Sequence, residues 1–290
     1  MSSIGNGLIS KNKNIISLIK KLSDEIDGLD LDLISLEFDA TSINEENMKI
    51  DLPIDLAPYI EHTSLKPDVT KDKIVKLCDE AKKFHFLGVC VNPYFVKEAV
   101  NQLHKSNCLV ISVVGFPLGA NLTVTKVDET KQILKNGADE IDMVISLSAL
   151  KDGDYKFVYH DIKSVVDAAK PAPVKVIIET GLLEKNELII ASLLALWAGA
   201  SFVKTSTGFA YMRFSDGYKI RGATIEDIQL IKSVVGNKIG IKASGGIMDY
   251  KSAMAMMEAG ATRLGSSASV SIITESECLF GHQTSFKCIL

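Results

Sequence analysis

From residue 57 onward, short apolar segments alternate with helical patterns, and each pair takes about 25–30 residues. "YIEHT" (59–63), "GVCVN" (88–92), "LVISVVG" (109–115), "EIDMVI" (140–145), "VKVIIET" (174–180), "SFVKTS" (201–206), "KIGIKAS" (238–244) and "TRLGSS" (262–267) read as strands. Helical segments lie between them, near 70–85, 93–106, 123–136, 154–170, 184–198, 224–236 and 248–259, and residues 267–277 supply a last, short helix. Eight such pairs predict an α/β chain closed into a parallel (β/α)8 TIM barrel. An open doubly wound sheet also alternates, but it carries a glycine-rich nucleotide loop after its first strand. Here that strand runs into "SLKPDVT" instead.

The helix boundaries have their own signals. Thr70 and Thr224 are placed as N-caps, each with acids soon after. Gly137, Gly199 and Gly260 each follow a helix and precede an alanine that leads into the next strand. Glycine there supplies a left-handed helix end.

Residues 1–54 have a different character and are read as an N-terminal extension, helical or partly disordered. Ile15, Ile19, Leu22 and Ile26 fall on one helical face, and "LDLDLISLEFD" then alternates leucine with acid. A docked helix and strand or a mobile tail both fit this pattern. The barrel domain is expected over 55–277, with a tail at 278–290.

Composition narrows the function classes. The chain has 290 residues, 47% of them apolar, and a net charge of −4, which gives no attraction to nucleic acid or to anionic lipid. No apolar run reaches the roughly 18–20 residues of a membrane span. The five cysteines are scattered without a CxxC pair, as in a reduced, cytoplasmic chain.

In a parallel barrel the chemistry gathers at the C-terminal ends of the strands. Asp142, Lys204 and Lys242 each interrupt an apolar strand, on the fourth, sixth and seventh segments. Alternation turns all three into the barrel, where unpaired charge costs several kcal/mol. One reading is an ion-pair network that only holds the barrel shut. The chemical reading starts from the fact that a lysine attacks a carbonyl only as the free amine. A second ammonium nearby, with partial desolvation, lowers the pKa of the first. Either lysine satisfies this on charge grounds. An aspartate opposite them can hold a water and move protons during imine formation.

A second group of residues points to phosphate. "TSTG", "SGG" and "GSS" follow the last three strands and place Thr207, Gly208, Gly245, Gly246, Gly265 and Ser267 together. Glycines let backbone N–H groups approach an anion, and the final two βα loops are the usual phosphate site of such barrels. Thr63 and Cys90, at the ends of the first two strands, are candidate substrate contacts, although a cysteine there also serves as a small buried hydrophobe. Lys175 and Glu179 share one face of the fifth strand, with Lys175 expected deeper. His62 has no second histidine at another strand end, so no metal site is expected.

"IEHTSLKPDVT", "GVCVNPYFV", "EIDMVI", "VKVIIETGLL", "FVKTSTGF", "GATIEDI", "IGIKASGGI" and "RLGSSA" together resemble the deoxyribose-phosphate aldolase family, class I aldolases of the TIM-barrel type. The similarity runs from about residue 55 to 275. It implies that Lys204 is the Schiff-base nucleophile, Lys242 the cation that depresses its pKa, and Asp142 the acid–base partner. It also implies reversible cleavage of 2-deoxy-D-ribose 5-phosphate to D-glyceraldehyde 3-phosphate and acetaldehyde, with no cofactor beyond the covalent imine. The expected partner is a phosphorylated sugar, with neither nucleic acid nor membrane, and homo-oligomerisation is left open. A class I aldolase on another phosphorylated sugar and a silent sugar-phosphate-binding barrel are the competing readings.

Three departures stand out. Residue 61 is Glu where the family commonly has Asp. The stretch 209–222 is longer than the usual link, and its Arg213, Lys219 and Arg221 either reach a phosphate or stay solvated. Some members use a tyrosine near the C-terminus as a proton carrier, whereas this chain has only Phe280 and Phe286 as aromatic residues after position 270.

Overall fold

The computed structural model describes residues 17–26, 55–214 and 217–280. Eight parallel strands close into one barrel. They are β1 (Ile60–Ser64), β2 (Gly88–Val91), β3 (Leu109–Val114), β4 (Glu140–Val144), β5 (Val174–Ile177), β6 (Phe202–Lys204), β9 (Gly240–Ser244) and β10 (Arg263–Ser266). Around the barrel the order is β1-β10-β9-β6-β5-β4-β3-β2. The numbering skips because β7 (Tyr211–Phe214) and β8 (Gly217–Ile220) form a separate antiparallel hairpin between β6 and β9. That hairpin occupies the long stretch after Gly208. The sequence pattern there predicts only a long link.

The helices fall close to the predicted segments: α2 (Lys71–Lys83), α3 (Val96–Gln102), α4 (Thr123–Lys135), α6 (Tyr155–Ala169), α7 (Lys185–Trp197), α8 (Ile225–Val235), α9 (Tyr250–Glu258) and α10 (Ser269–Phe280). A short α5 (Leu147–Asp152) precedes α6. Before these, a helix α1 over 17–25 buries Leu22, and Ile26 follows it into the core. Lys21 Nζ stands 5.2 Å from the ring centre of Tyr155 on α6. Ile15 and the leucine–acid alternation lie outside the described residues, as does the tail from 281. Thr224 caps α8 by accepting from Asp227 N–H, while Thr70 occupies the N-cap position of α2 without a side-chain bond. Gly137, Gly199 and Gly260 all have the positive φ expected of helix ends.

Alternation along the strands separates two interiors. Ile141, Met143, Val203, Ile241 and Ala243 point outward into the main core beneath the helices. Their neighbours point into the barrel. On the β1–β3 side that inner space is apolar, with Leu65, Cys90, Ile111 and Val113 packed together. Phe116 and Phe209 close over it edge to face, their ring centres 5.3 Å apart. On β4, β5, β6, β9 and β10, and at Glu61 on β1, the inward positions carry charge. Cys78, Cys90, Cys108 and Cys278 are unpaired thiols. No helix among the described residues is long and apolar enough to cross a membrane.

Candidate active site

The charged half of the barrel is one connected cluster. Asp142, on β4, divides its two oxygens. Oδ2 accepts from Lys204 Nζ at 2.8 Å and from Lys242 Nζ at 2.6 Å, and Oδ1 accepts from Lys175 Nζ at 3.0 Å. Lys242 also donates to Glu61 Oε2. Lys175 reaches Glu140 at 2.5 Å and Glu61 at 3.4 Å. Arg263 Nη1 joins Glu61 at 3.0 Å to Glu140 at 2.8 Å, and its guanidinium lies 4.7 Å over the Phe202 ring.

The register explains why these side chains meet. Lys204 pairs with Lys242 across β6 and β9, and Asp142 pairs with Lys175 across β4 and β5. Each is an inward position, so neighbouring strands deliver their charges to one level of the barrel. Four cations, Lys175, Lys204, Lys242 and Arg263, surround three carboxylates, Glu61, Glu140 and Asp142. Charge balance therefore leaves one proton in excess. Among the described residues Lys204 has a single anionic partner, Asp142, whereas each of the other three cations has at least two. If Lys204 gives up its proton, three cations face three carboxylates.

The electrostatics follow from burial opposed by pairing. Burial works against the charge of Asp142, but Lys175, Lys204 and Lys242 overcome it and hold the carboxyl well below its usual range. Glu61 is lowered in the same way, with burial outweighed by Lys175 and Lys242. Lys242 is fully buried, yet Asp142 and Glu61 push its ammonium above the ordinary lysine value. Lys242 is thus a fixed cation. Of the two candidate amines, it is the worse nucleophile.

Above this cluster lies a cradle of backbone. Thr205 Oγ1 donates to Ser244 C=O at 3.0 Å and accepts from Ser244 N–H at 3.0 Å. Ser244 Oγ donates to Ser206 C=O at 2.6 Å. These bonds lock the loop after β6 to β9. Gly208, Gly245 and Gly246 all have positive φ, near 80°. Ser206 Oγ is buried beside Gly245 and has no partner among the described residues, so it is a hydroxyl available to a ligand. Ser267 is exposed just before α10. Gly265 lies within β10 instead of in a loop. A Cβ there would stand 2.9 Å from Lys242 Cε, so its missing side chain makes room for that lysine.

The remaining candidates separate. Cys90 Sγ lies 3.9 Å from Asp142 Oδ2, and burial pushes its thiol up to about 11. Thr63 is partly exposed on the same inward face as Glu61, and its hydroxyl donates to Glu61 C=O at 2.9 Å. His62 points the other way, toward Ser269 Oγ at 3.0 Å and Glu80 at 2.8 Å. Arg221 is half-buried and engaged within the chain. It donates to Thr180 C=O at 2.8 Å and to Asp227 at 3.0 Å. The side chains of Arg213 and Lys219 lie outside the described residues. Glu61, Cys90 and Asp142 gather donor atoms within 4.8 Å, but Lys242 already occupies both carboxylates, so the cluster does not fit a metal ion.

Lys175, expected deeper on the fifth strand, joins the cluster, and Glu140 and Arg263 are members that the residue-by-residue reading does not single out. Glu140 shares parity with Asp142 along β4, and Arg263 shares parity with Gly265 along β10. That parity was the available signal.

The sequence model of the DeoC/LacD family aldolases matches residues 49–272. The chain belongs to this family. A deoxyribose-phosphate aldolase from Aciduliprofundum boonei is 53% identical over 227 residues, which covers 78% of this chain and 98% of the relative. One from Thermococcus gammatolerans is 53% identical over 224 residues, covering 76% and 96%. Among solved structures, an aldolase called QR15 superposes with a TM-score of 0.72 at 40% identity, covering 78% of this chain and 99% of its own. A tetrameric deoxyribose phosphate aldolase from Aeropyrum pernix gives 0.71 at 30% identity, covering 79% and 94%. In this DeoC/LacD aldolase, then, the charged cluster stands at the strand ends where the barrel fold places its chemistry.

Proposed function

We propose that this chain is a deoxyribose-phosphate aldolase in which Lys204 forms the imine. The observation that carries this reading is the single anionic partner of Lys204 in a cluster with one cation too many. The neutral amine adds to the C1 aldehyde of 2-deoxy-D-ribose 5-phosphate. Asp142, through a water, moves the protons that turn the carbinolamine into an imine and release hydroxide as water. The C3 hydroxyl then loses its proton and becomes the carbonyl of glyceraldehyde 3-phosphate as C2–C3 breaks. The bonding electron pair moves into the imine and leaves an enamine on Lys204. Protonation at C2 and hydrolysis release acetaldehyde and restore the amine. Lys242 stays charged, and with it in place the three carboxylates are balanced without a proton on Lys204.

The backbone of Gly208, Gly245 and Gly246, with Ser267 at the start of α10, would bind the phosphate. The apolar wall of Leu65, Cys90, Val113, Phe116 and Phe209 would face the methylene end of the sugar. The lysine supplies the electron sink, so the reaction calls for no metal or organic cofactor. Assembly as a homo-oligomer is supported by the tetrameric Aeropyrum relative. Treatment with acetaldehyde and borohydride, followed by mass mapping, tests the mechanism. A reduced adduct on Lys204 is expected. No adduct, or one spread over surface lysines, overturns it.

A further inference from the structure

Glu179 takes no part in the lysine chemistry, yet it is buried to 1% exposure at the rim of the site. In a regular parallel ladder, successive donors on one strand meet alternate carbonyls of the next. Here Ile178 N–H donates to Lys204 C=O at 3.0 Å, but Thr180 N–H donates to Thr205 C=O at 2.9 Å. The β5 side thus holds one residue more than the β6 side, and that residue is Glu179. Its backbone is left-handed, with φ 55° and ψ 63°, a conformation that glycine adopts far more readily than glutamate.

The bulge has a visible result. It turns the carboxylate back over the loop after β6, where it accepts from Thr207 N–H at 3.1 Å and from the Thr207 hydroxyl. Thr207 Oγ1 in turn accepts from Phe209 N–H at 3.0 Å. Of three consecutive N–H groups, the first and third are bound internally. Gly208 N–H between them has no acceptor among the described residues, and there is open space beside its Cα.

We propose that Glu179 is a positioning residue for the phosphate loop: it fixes Thr207 so that, of the three N–H groups from 207 to 209, that of Gly208 is presented to the phosphate. This rests on the function proposed above. Glu179 also satisfies the Thr207 donor for which an incoming phosphate would otherwise compete. Lys204 lies three residues upstream on the same chain, so the clamp sets the span between the two ends of the substrate.

The test compares 2-deoxyribose 5-phosphate with unphosphorylated 2-deoxyribose as substrates. Glu179→Gly removes the carboxylate while suiting the left-handed backbone, so folding is spared. Its ratio of kcat/KM values, phosphorylated over unphosphorylated, should fall by about tenfold or more, mainly through KM. Glu179→Gln, which keeps an acceptor of the same shape, should lose less than about threefold. Thr207→Val removes the other half of the clamp and should repeat the selective loss. Inhibition by inorganic phosphate reads the same contact without a sugar, and its Ki should rise by about tenfold in Glu179→Gly. An equal fall on both substrates, or an unchanged ratio in Glu179→Gly and Thr207→Val, overturns the role. If the wild-type chain neither traps acetaldehyde on Lys204 nor cleaves the phosphorylated sugar, the proposed function fails instead.

Discussion

Lys204 and Lys242 meet on a single oxygen, Oδ2 of Asp142, at 2.8 and 2.6 Å. The two lysines are register partners on neighbouring strands, so neither can swing away without leaving the barrel interior. They are not equivalent, because Glu61 gives Lys242 a second carboxylate.

Lys242→Met follows from that asymmetry. Without Lys242, Asp142 has Lys204 and Lys175 alone, and the three remaining cations balance the three carboxylates only when Lys204 is charged. The rate near neutral pH should fall by at least about 100-fold, and part of it should return as the pH is raised. A pH–rate profile checks this. Near-normal rates at neutral pH would remove the role assigned to Lys242. Glu61 also loses a partner, so the melting temperature should drop as well.

Asp142→Asn removes the anion that three lysines share while keeping the shape. The turnover should fall by about 100- to 10,000-fold, the range expected when a positioned acid–base group is lost. The cluster's cations would then face only Glu61 and Glu140, and a stability loss of about 3–5 kcal/mol is expected in chemical denaturation. Wild-type turnover in this variant would move the proton transfers to another group.

The same cluster sets how stability responds to pH. Asp142 and Glu61 have folded pKa values below their unfolded ones. Their contribution is therefore complete above the unfolded values and is lost as pH falls through the folded ones. Lys242 is raised above its ordinary 10.5, so its contribution is complete below that value and is lost only as pH rises through the folded pKa. Urea unfolding should show no change from Asp142, Glu61 and Lys242 between roughly pH 5 and 10, with a decline in acid below about pH 4. A steep change in unfolding free energy between pH 6 and 8 would point to other groups.

Much of this arrangement was legible in the sequence, and the reasons are physical. Alternation along β4, β6 and β9 is strict, so one charge in an apolar run can point only inward or outward, and Asp142, Lys204 and Lys242 could be placed without coordinates. Lys175, Glu140 and Arg263 were harder, because their pairing depends on strand register, which no single segment encodes. Glu179 was read at the same parity as Lys175, but β5 ends at Ile177 and a bulge intervenes. The hairpin β7–β8 went unread because its signal lay inside a stretch judged by its length. Gly265 looked like a phosphate-loop glycine, and only the packing of Lys242 shows what its missing side chain makes room for.

Gly265→Ala tests that packing. The added Cβ would stand 2.9 Å from Lys242 Cε and 3.2 Å from Ser244 Cβ. Lys242 is fully buried, and its Nζ is held by both Asp142 and Glu61. Displacing its Nζ breaks the shared contact on Asp142, so kcat should fall by about tenfold, with a stability loss of about 1–3 kcal/mol. Unchanged kcat and melting temperature would mean that the lysine can shift without consequence.

Gly222→Ala addresses the other end of the substrate. Its Cβ would lie 2.0 Å from the carbonyl oxygen of Gly245 and 2.9 Å from the nitrogen of Gly246. Those atoms are backbone, so the methyl cannot be accommodated by a side-chain turn, and the Gly245–Gly246 segment has to move. Ala223 N–H normally ties this approach by donating to Ser244 and Gly245 carbonyls at 3.2 and 3.1 Å. The amine and its carboxylate lie below this level and keep their contacts. The variant should therefore raise KM for the phosphorylated sugar by about tenfold while acetaldehyde trapping on Lys204 continues. Steady-state kinetics beside borohydride trapping separates the two. Loss of trapping with an unchanged KM would show that the glycine approach serves the lysine and not the phosphate.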